Sequence, residues 1–110
     1  MDVERIQEAL RALDIEAWLL YDCRGTNPVA RRVTGLEGKA LTRRWFCGIP
    51  QQGEPVWIVS RVEAHLFAGV PGQVRPYASW RELQNCLSEF LQSVAPPDRL
   101  PRIAMEYSPM

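Results

Sequence analysis

The 110-residue sequence contains a single histidine, His65, a single lysine, Lys39, and three cysteines with no Cys-x-x-Cys pair. One histidine among scattered thiols lacks the paired ligand spacing of a zinc site. Disulfide scaffolds use dense, even-numbered cysteines, so an odd and sparse set favours reduced thiols. We therefore expect neither disulfides nor a metal or other cofactor in this chain.

The sequence also lacks an excess of charge of either sign. Thirteen Lys and Arg residues balance thirteen Asp and Glu residues, whereas binding to nucleic acid or an anionic membrane through bulk charge needs a basic excess. No segment is long and apolar enough to span a bilayer, and the charged amino terminus does not resemble a signal peptide. The sequence predicts a cytoplasmic protein with no nucleic-acid partner and no membrane partner.

What the sequence does contain is enough apolar residues, 46% of the total, to build the core of one domain. Helical spacing of apolar residues predicts a helix over residues 2–13, with Asp2 as its N-cap. A continuous apolar run predicts a buried strand over residues 17–21. The glycine- and proline-containing loop between residues 44–49 and 56–59 predicts an antiparallel hairpin.

The remaining segments carry weaker patterns. Residues 29–33 are interpreted as a brief strand, residues 63–67 as a short helix, and residues 74–77 as a strand that Pro76 either places at a sheet edge or ends early. Ser79 and Glu82 form a capping-box pattern at the start of a helix with an apolar stripe from Trp80 to Val94. Residues 103–107 are predicted to form a last buried strand. This order predicts an α/β fold with a mixed β-sheet flanked by helices.

Residues that could carry catalysis are few. His65 lies on the predicted short helix without a nucleophile suggested by position, so we interpret it as an ordinary helix residue. Neither a Gly-x-Gly-x-x-Gly loop nor a P-loop is present. Trp18, Trp57 and Trp80 are interpreted as core anchors. The chain alone is therefore predicted to carry no catalytic residues.

The Arg43-Arg44-Trp45 triplet leaves two interpretations open. The three residues could form a binding edge or an interface, since arginine and tryptophan are enriched at such surfaces. Alternatively, a solvated arginine pair precedes a tryptophan that points into the core.

The order of several short motifs resembles the amino-terminal domain of the Xaa-Pro aminopeptidase, prolidase and creatinase family. The resemblance covers nearly the whole chain. In chain order the motifs are Tyr21-Asp22-Cys23-Arg24-Gly25-Thr26-Asn27-Pro28, Thr34-Gly35, Thr42-Arg43-Arg44-Trp45-Phe46, Ile49-Pro50, Gly53-Glu54-Pro55 and Arg61-Val62-Glu63.

The resemblance implies a ribonuclease-H-like arrangement in which residues 1–110 form a single non-catalytic domain. A catalytic pita-bread domain, with two divalent metals (Mn, Co or Zn) in the peptidases, would follow beyond residue 110. The amino-terminal domain would serve homo-oligomer contacts and access to the active site of an Xaa-Pro peptidase-like hydrolase. Arg24, Asn27, Arg44 and Trp45 are the implied substrate-access or interface residues. The alternative is a free-standing α/β module that binds a small molecule or a protein.

Overall fold

The computed structural model describes residues 1–36, 38–39 and 41–106, in which five strands form one sheet. The strands are β1 (Ala17–Asp22), β2 (Trp45–Pro50), β3 (Val56–Ser60), β4 (Gln73–Tyr77) and β5 (Ile103–Glu106). The α-helices are α1 (Val3–Ala12), α2 (Pro28–Thr34) and α3 (Trp80–Val94), and a 3-10 helix spans Arg61–Phe67.

The sheet has the strand order β4-β3-β2-β1-β5. Strand β2 runs antiparallel to both β1 and β3, whereas β5 is parallel to β1 and β4 is parallel to β3. The amino end of β2 therefore lies at the same end of the sheet as the carboxyl ends of the other strands. The predicted mixed sheet flanked by helices is confirmed.

One face of the sheet packs against α1, α2 and the 3-10 helix. Its centre is an aromatic cluster of Trp45, Trp57 and Phe67, whose ring centroids lie 6.1, 6.0 and 5.9 Å apart in the three pairs. Leu10 from α1 and Ala30 from α2 complete this side of the core. Burial of these large side chains is the main source of stability on this face, at about 1.5–3 kcal/mol for each large apolar side chain.

The opposite face packs against α3. Leu83 and Cys86 of α3 are buried against Ile58 of β3, and Phe90 lies over Gly48 of β2, where an added Cβ atom would overlap the phenyl ring. Gly48 thus leaves the space that the Phe90 ring occupies against the sheet. A side chain there would push α3 away from the strands.

Most predicted elements are confirmed, and their caps explain their ends. Asp2 accepts a hydrogen bond from the backbone N–H of Arg5 at 3.1 Å, which satisfies a donor that the first helical turn leaves unpaired. Ser79 accepts one from the backbone N–H of Glu82, also at 3.1 Å. Strand β4, which contains Pro76, is an edge strand as predicted. The last strand spans Ile103–Glu106, and the predicted extension to residue 107 lies outside the described residues. The prediction that this strand is buried is wrong, because β5 is the other edge strand of the sheet and Met105 is 52% exposed.

The predicted strand over residues 29–33 is wrong, because this segment forms α2. Asn27 caps the helix by accepting from the N–H of Ala30 at 3.2 Å, and Pro28 occupies the first turn, where its missing N–H costs nothing. Gly35 then ends the helix in the left-handed conformation at φ 76°. An Asn-Pro pair followed seven residues later by Gly is a helix signature that the apolar pattern alone does not reveal.

The interpretation of Trp80 as a core residue is also wrong. Its side chain is 59% exposed, because the buried face of α3 follows Leu83, Cys86 and Phe90. Trp80 is the first residue of the helix and lies beyond the end of that face.

The two buried tryptophans of the aromatic cluster provide a matched pair for measuring one hydrogen bond. Trp57 Nε1 donates to the carbonyl of Pro71 at 2.7 Å, whereas the buried Nε1 of Trp45 has no partner among the described residues. Both substitutions by phenylalanine remove the same volume from the same cluster. We expect Trp57→Phe to lower the free energy of unfolding by about 1 kcal/mol more than Trp45→Phe, measured by urea denaturation. Equal losses would contradict this assignment.

A second prediction concerns the contact between Gly48 and Phe90. Gly48→Ala should destabilise the protein by about 1–3 kcal/mol, because the added methyl group overpacks the interface with α3. Phe90→Leu should relieve part of that cost. The double variant should therefore lose less free energy of unfolding than the two single variants lose together. Urea denaturation of the three variants measures the coupling, and strictly additive effects would show that the ring and the glycine do not meet.

Candidate functional site: an arginine-lined groove at the sheet edge

A groove of about 1340 Å³ opens at the end of the sheet where β2 begins and β1, β3 and β4 end. Its walls come from the β1–α2 loop, the residues before β2, the start of the 3-10 helix and the start of α3. The antiparallel direction of β2 creates this site, since it brings the segment before β2 among the carboxyl ends of parallel strands. Such carboxyl ends are a frequent location of ligand sites in α/β proteins.

Arg44 lies at the centre of the groove. Its Nε donates a hydrogen bond to the hydroxyl of Tyr21 at 3.2 Å, and its guanidinium carbon lies 5.2 Å from the ring centroid of Trp80. The hydrogen bond to Tyr21 raises the pKa of Arg44 further, so this side chain is charged at any physiological pH. The face of the Trp80 ring attracts that charge.

Two tyrosines frame Arg44. The Tyr77 hydroxyl donates to the Arg44 backbone carbonyl at 2.6 Å, and burial raises the pKa of that hydroxyl. Tyr21 stacks on Phe46 with ring centroids 4.9 Å apart. The arginine is therefore held at both its side chain and its backbone.

Glu63 of the 3-10 helix binds the segment that precedes Arg44. Its carboxylate accepts hydrogen bonds from the backbone N–H and the hydroxyl of Thr42 and from the backbone N–H of Arg43, each at 2.9 Å. Burial alone would raise the pKa of the Glu63 carboxyl, but these hydrogen bonds outweigh it and keep the pKa below its ordinary value. Glu63 is therefore an anion at neutral pH, and its carboxylate binds two backbone N–H groups and one hydroxyl.

The groove is strongly positive although the chain as a whole is neutral. Its described lining residues include four arginines, Arg24, Arg43, Arg44 and Arg61, and no carboxylate. Aromatic rings lie among them. Arginine forks pair with planar anions such as carboxylates, so the arrangement suits an anionic ligand with an apolar or flat body.

The floor of the groove is built by the loop after β1. Asp22 is fully buried and accepts from the backbone N–H groups of Gly25 at 3.1 Å and Asn27 at 2.8 Å. The Asn27 side chain donates to the Tyr21 carbonyl at 2.8 Å while it caps α2. This network folds the loop back and turns Arg24, with a left-handed φ of 58°, toward solvent.

The four residues predicted for this site are placed differently. Arg24 and Arg44 are exposed and line the groove. Asn27 also borders it but is only 2% exposed, because its side chain serves the cap of α2. Its contribution is to shape the loop.

The structure does not place Trp45 in the groove, since Trp45 is 1% exposed and packs in the aromatic cluster on the other face. Consecutive residues of a strand point to opposite faces, so Arg44 and Trp45 cannot line one groove. Of the two interpretations of the triplet, the inward-pointing tryptophan is the one found.

Sequence analysis missed Tyr21, Tyr77 and Trp80 as groove residues. Tyr21 and Phe46 share a face with Arg44, and the period of two along β1 and β2 could have indicated this once their antiparallel pairing was assumed. Tyr77 is the last residue of the edge strand β4 and Trp80 is the first residue of α3. Neither position carries a sequence signal for function.

Groups that could perform catalysis are not concentrated in the groove. No set of three or more His, Cys, Asp or Glu side chains is arranged to hold a metal ion in the described part of the chain. His65 is exposed on the 3-10 helix. Burial raises the pKa of the Cys47 thiol, which lies in the core.

No helix within the described ranges has the length and hydropathy needed to cross a membrane.

Comparison with solved structures identifies the fold. No protein-family model and no curated protein sequence matches the chain. The N-terminal domain of an Xaa-Pro dipeptidase from Lactobacillus brevis superposes with a TM-score of 0.71 at 15% identity, covering 96% of this chain and 76% of that one. The creatinase/prolidase N-terminal domain of an X-Pro dipeptidase from Streptococcus pyogenes gives 0.66 at 18% identity, covering 94% and 74%.

The chain has the fold of a creatinase/prolidase N-terminal domain. The resemblance predicted from the motif order is thus confirmed at the level of fold. A prolidase from Pyrococcus horikoshii superposes with a TM-score of 0.56 at 14% identity over 94% of this chain but only 31% of its own. In that protein the creatinase/prolidase N-terminal fold occupies less than a third of the polypeptide.

A third prediction follows from the lowered pKa of Glu63. The carboxylate form is favoured by folding, so its stabilisation is fully present above a pH of about 5 and is lost as the pH falls through the lowered pKa of the folded state. At pH 7 wild type should exceed Glu63→Gln by about 1 kcal/mol in free energy of unfolding, because three hydrogen bonds to a partly exposed carboxylate are weakened.

Urea denaturation of both proteins between pH 3 and pH 7 measures this difference. Glu54→Gln, an exposed position in the β2–β3 loop, is the matched control and should show no such pH dependence. A wild-type advantage that persists unchanged to pH 3 would contradict the assignment to Glu63.

Proposed function

We propose that this chain is the accessory, non-catalytic domain of an Xaa-Pro peptidase-like metallohydrolase, and that it contributes to subunit association and to access to the active site. The observation that carries the proposal is the open groove lined by four arginines and several aromatic rings. Such a groove can bind and orient an anionic ligand, and no set of metal ligands accompanies it among the described residues.

The comparisons support this role through the proteins that share the fold. Their names describe Xaa-Pro or proline dipeptidases and a prolidase. In the Pyrococcus horikoshii prolidase the matched region is 31% of the chain. By analogy, the partner of this domain is a carboxy-terminal catalytic domain of the same cytoplasmic polypeptide, which would hold the divalent metals (Mn, Co or Zn).

The groove would face the entrance of an active site, that of its own subunit or of a partner in a homo-oligomer. A peptide presents a carboxylate at its C-terminus, which Arg44 could pair with in forked geometry. Trp80 offers a flat apolar wall 5.2 Å from the same guanidinium, on which a proline ring could pack. Arg24 and Arg43 would steer the anionic end into the groove.

A second candidate is a free-standing small-molecule-binding module. An apolar groove of about 390 Å³ between α1 and the β1–β5 edge, lined by Ile6, Leu13, Trp18 and Ala104 among others, favours it. This volume lies within the range of small-molecule pockets. The continuation of the reading frame discriminates the two candidates, because a downstream Asp, Asp, His, Glu and Glu metal-ligand set would settle the first.

The fourth prediction tests the groove directly in this chain. Titration of ¹⁵N-labelled protein with the dipeptide Ala-Pro should shift the NMR signals of Arg44 Nε–H and Trp80 Nε1–H, with weak affinity of about 1 mM or above, since one ion pair and one ring contact stabilise the complex. Ala-Pro amide, which lacks the carboxylate, should produce shifts at least fivefold smaller. Arg44→Ala should abolish the response to Ala-Pro.

Arg32→Ala serves as the control, because Arg32 is exposed on α2 and is not among the groove residues. The dipeptide should remain intact throughout, also with added manganese, cobalt or zinc. Equal responses to Ala-Pro and its amide would contradict the carboxylate role of the groove, and turnover by the pure chain would contradict a non-catalytic domain.

A further inference from the structure

The segment that carries the groove's central arginine has little support of its own. Residues 42–44 precede β2, whose ladder with β1 begins at Trp45 opposite Asp22. Thr42, Arg43 and Arg44 are all exposed. Contacts outside the sheet must therefore fix the direction in which the side chains of Arg43 and Arg44 point.

Glu63 supplies that fixation from the 3-10 helix, 20 residues further along the chain. One carboxylate oxygen accepts both Thr42 hydrogen bonds and the other accepts the Arg43 backbone N–H. A carboxylate has acceptor sites on both oxygens and no donor. No neutral side chain of the same size can accept all three hydrogen bonds in this way.

Arg44, which follows the segment bound by this carboxylate, makes further contacts across the end of the sheet where β2 begins. The Arg44 carbonyl is bound by Tyr77 of β4, and its guanidinium is bound by Tyr21 of β1 and lies against Trp80 of α3. The network begins on the 3-10 helix, which packs on one face, and ends on α3, which packs on the other. Arg44 is the residue that joins the two layers at this edge.

We propose that Glu63 is the positioning residue of the groove: its carboxylate fixes the backbone of Thr42 and Arg43 and thereby sets Arg44 against Tyr21 and Trp80. Glu63 is a positioning residue and not a binding residue in this arrangement, because it is not among the residues that line the groove. The inference rests on the proposed function for the use of Arg44 in binding, but the positioning itself is a property of the free chain.

The experiment measures hydrogen exchange at the Arg44 Nε–H and at the Thr42 and Arg43 amides in ¹⁵N-labelled chain. In Glu63→Gln we expect exchange at the Arg44 Nε–H to rise at least tenfold, because the amide group keeps one acceptor oxygen and places its NH2 donors opposite either the Thr42 donors or the Arg43 N–H. Amides of β1 and β3 should keep their wild-type exchange. The Trp80 Nε1–H signal should shift as the guanidinium leaves the ring.

Three further variants keep the test decisive. Glu63→Asp retains the carboxylate and should restore part of the protection, whereas Thr42→Val, which removes one of the three donors, should give a smaller increase in the same direction. Glu54→Gln is the matched control and should leave all these signals unchanged. If Glu63→Gln fails to fold, Glu63→Asp and Thr42→Val still decide the matter, because each should raise exchange at the Arg44 Nε–H above the wild-type rate, and wild-type rates in both would overturn the inference.

Release of the Thr42 and Arg43 amides with an unchanged Arg44 Nε–H would overturn the inference, since Tyr21 and Tyr77 would then suffice to hold the arginine. The Ala-Pro titration separates this failure from failure of the proposed function. If Glu63→Gln frees Arg44 and the dipeptide response stays at the wild-type level, positioning is correct and the binding role of Arg44 is wrong.

Discussion

The antiparallel direction of β2 is the constraint on which the groove depends. In a sheet whose other strands are parallel to one another, β2 alone brings its amino end to their carboxyl ends. The exposed residues before β2 thus meet the loop after β1 and the ends of β3 and β4. If β2 ran parallel to β1, Arg44 would lie at the far edge of the sheet, and Tyr21 and Tyr77 would have no arginine to bind.

The same geometry explains how a neutral chain concentrates positive charge. The acidic residues near the groove are engaged elsewhere: Asp22 accepts backbone donors in the β1–α2 loop, and Glu63 accepts those of Thr42 and Arg43. The arginines point into solvent or against aromatic rings. Net charge therefore excludes binding through bulk charge, but it gives no information about local fields, which depend on where the carboxylates are used.

Sequence patterns predicted the elements that local chemistry controls. Caps at Asp2 and Ser79, the prolines around the β2–β3 loop, and Pro76 in an edge strand each act over a few residues, so their effects follow from sequence alone. The strand predicted over residues 29–33 is wrong because α2 is a short helix, in which the Asn27-Pro28 cap is a stronger signal than the apolar spacing. The motif order predicted the fold although pairwise identity to the superposed domains is 15–18%.

The site could be predicted only in part, because its members come from four distant segments. Arg24 and Arg44 were identified through motifs, but their companions Tyr21, Tyr77 and Trp80 are brought together by strand order, which no local pattern encodes. The family resemblance implies Trp45 as a site residue beside Arg44, its neighbour in the motif, whereas the structure buries it. Alternation along the strand separates neighbours onto opposite faces, so adjacency in sequence was the wrong measure of adjacency in space.

The opposite placements of Trp45 and Trp80 bear on what the groove can do. Trp45 is buried although its Nε1–H has no partner among the described residues, so the burial of its apolar surface outweighs the loss of a hydrogen bond. Trp80 is 59% exposed, and its contact with Arg44 contributes about 0.5–1 kcal/mol at an exposed site. Covering the remaining ring surface would add roughly 1 kcal/mol or more. The exposed Trp80 ring therefore provides apolar surface beside the positive charge of Arg44. A ligand or neighbouring domain that presents an apolar group next to an anion can contact the ring and the guanidinium at once.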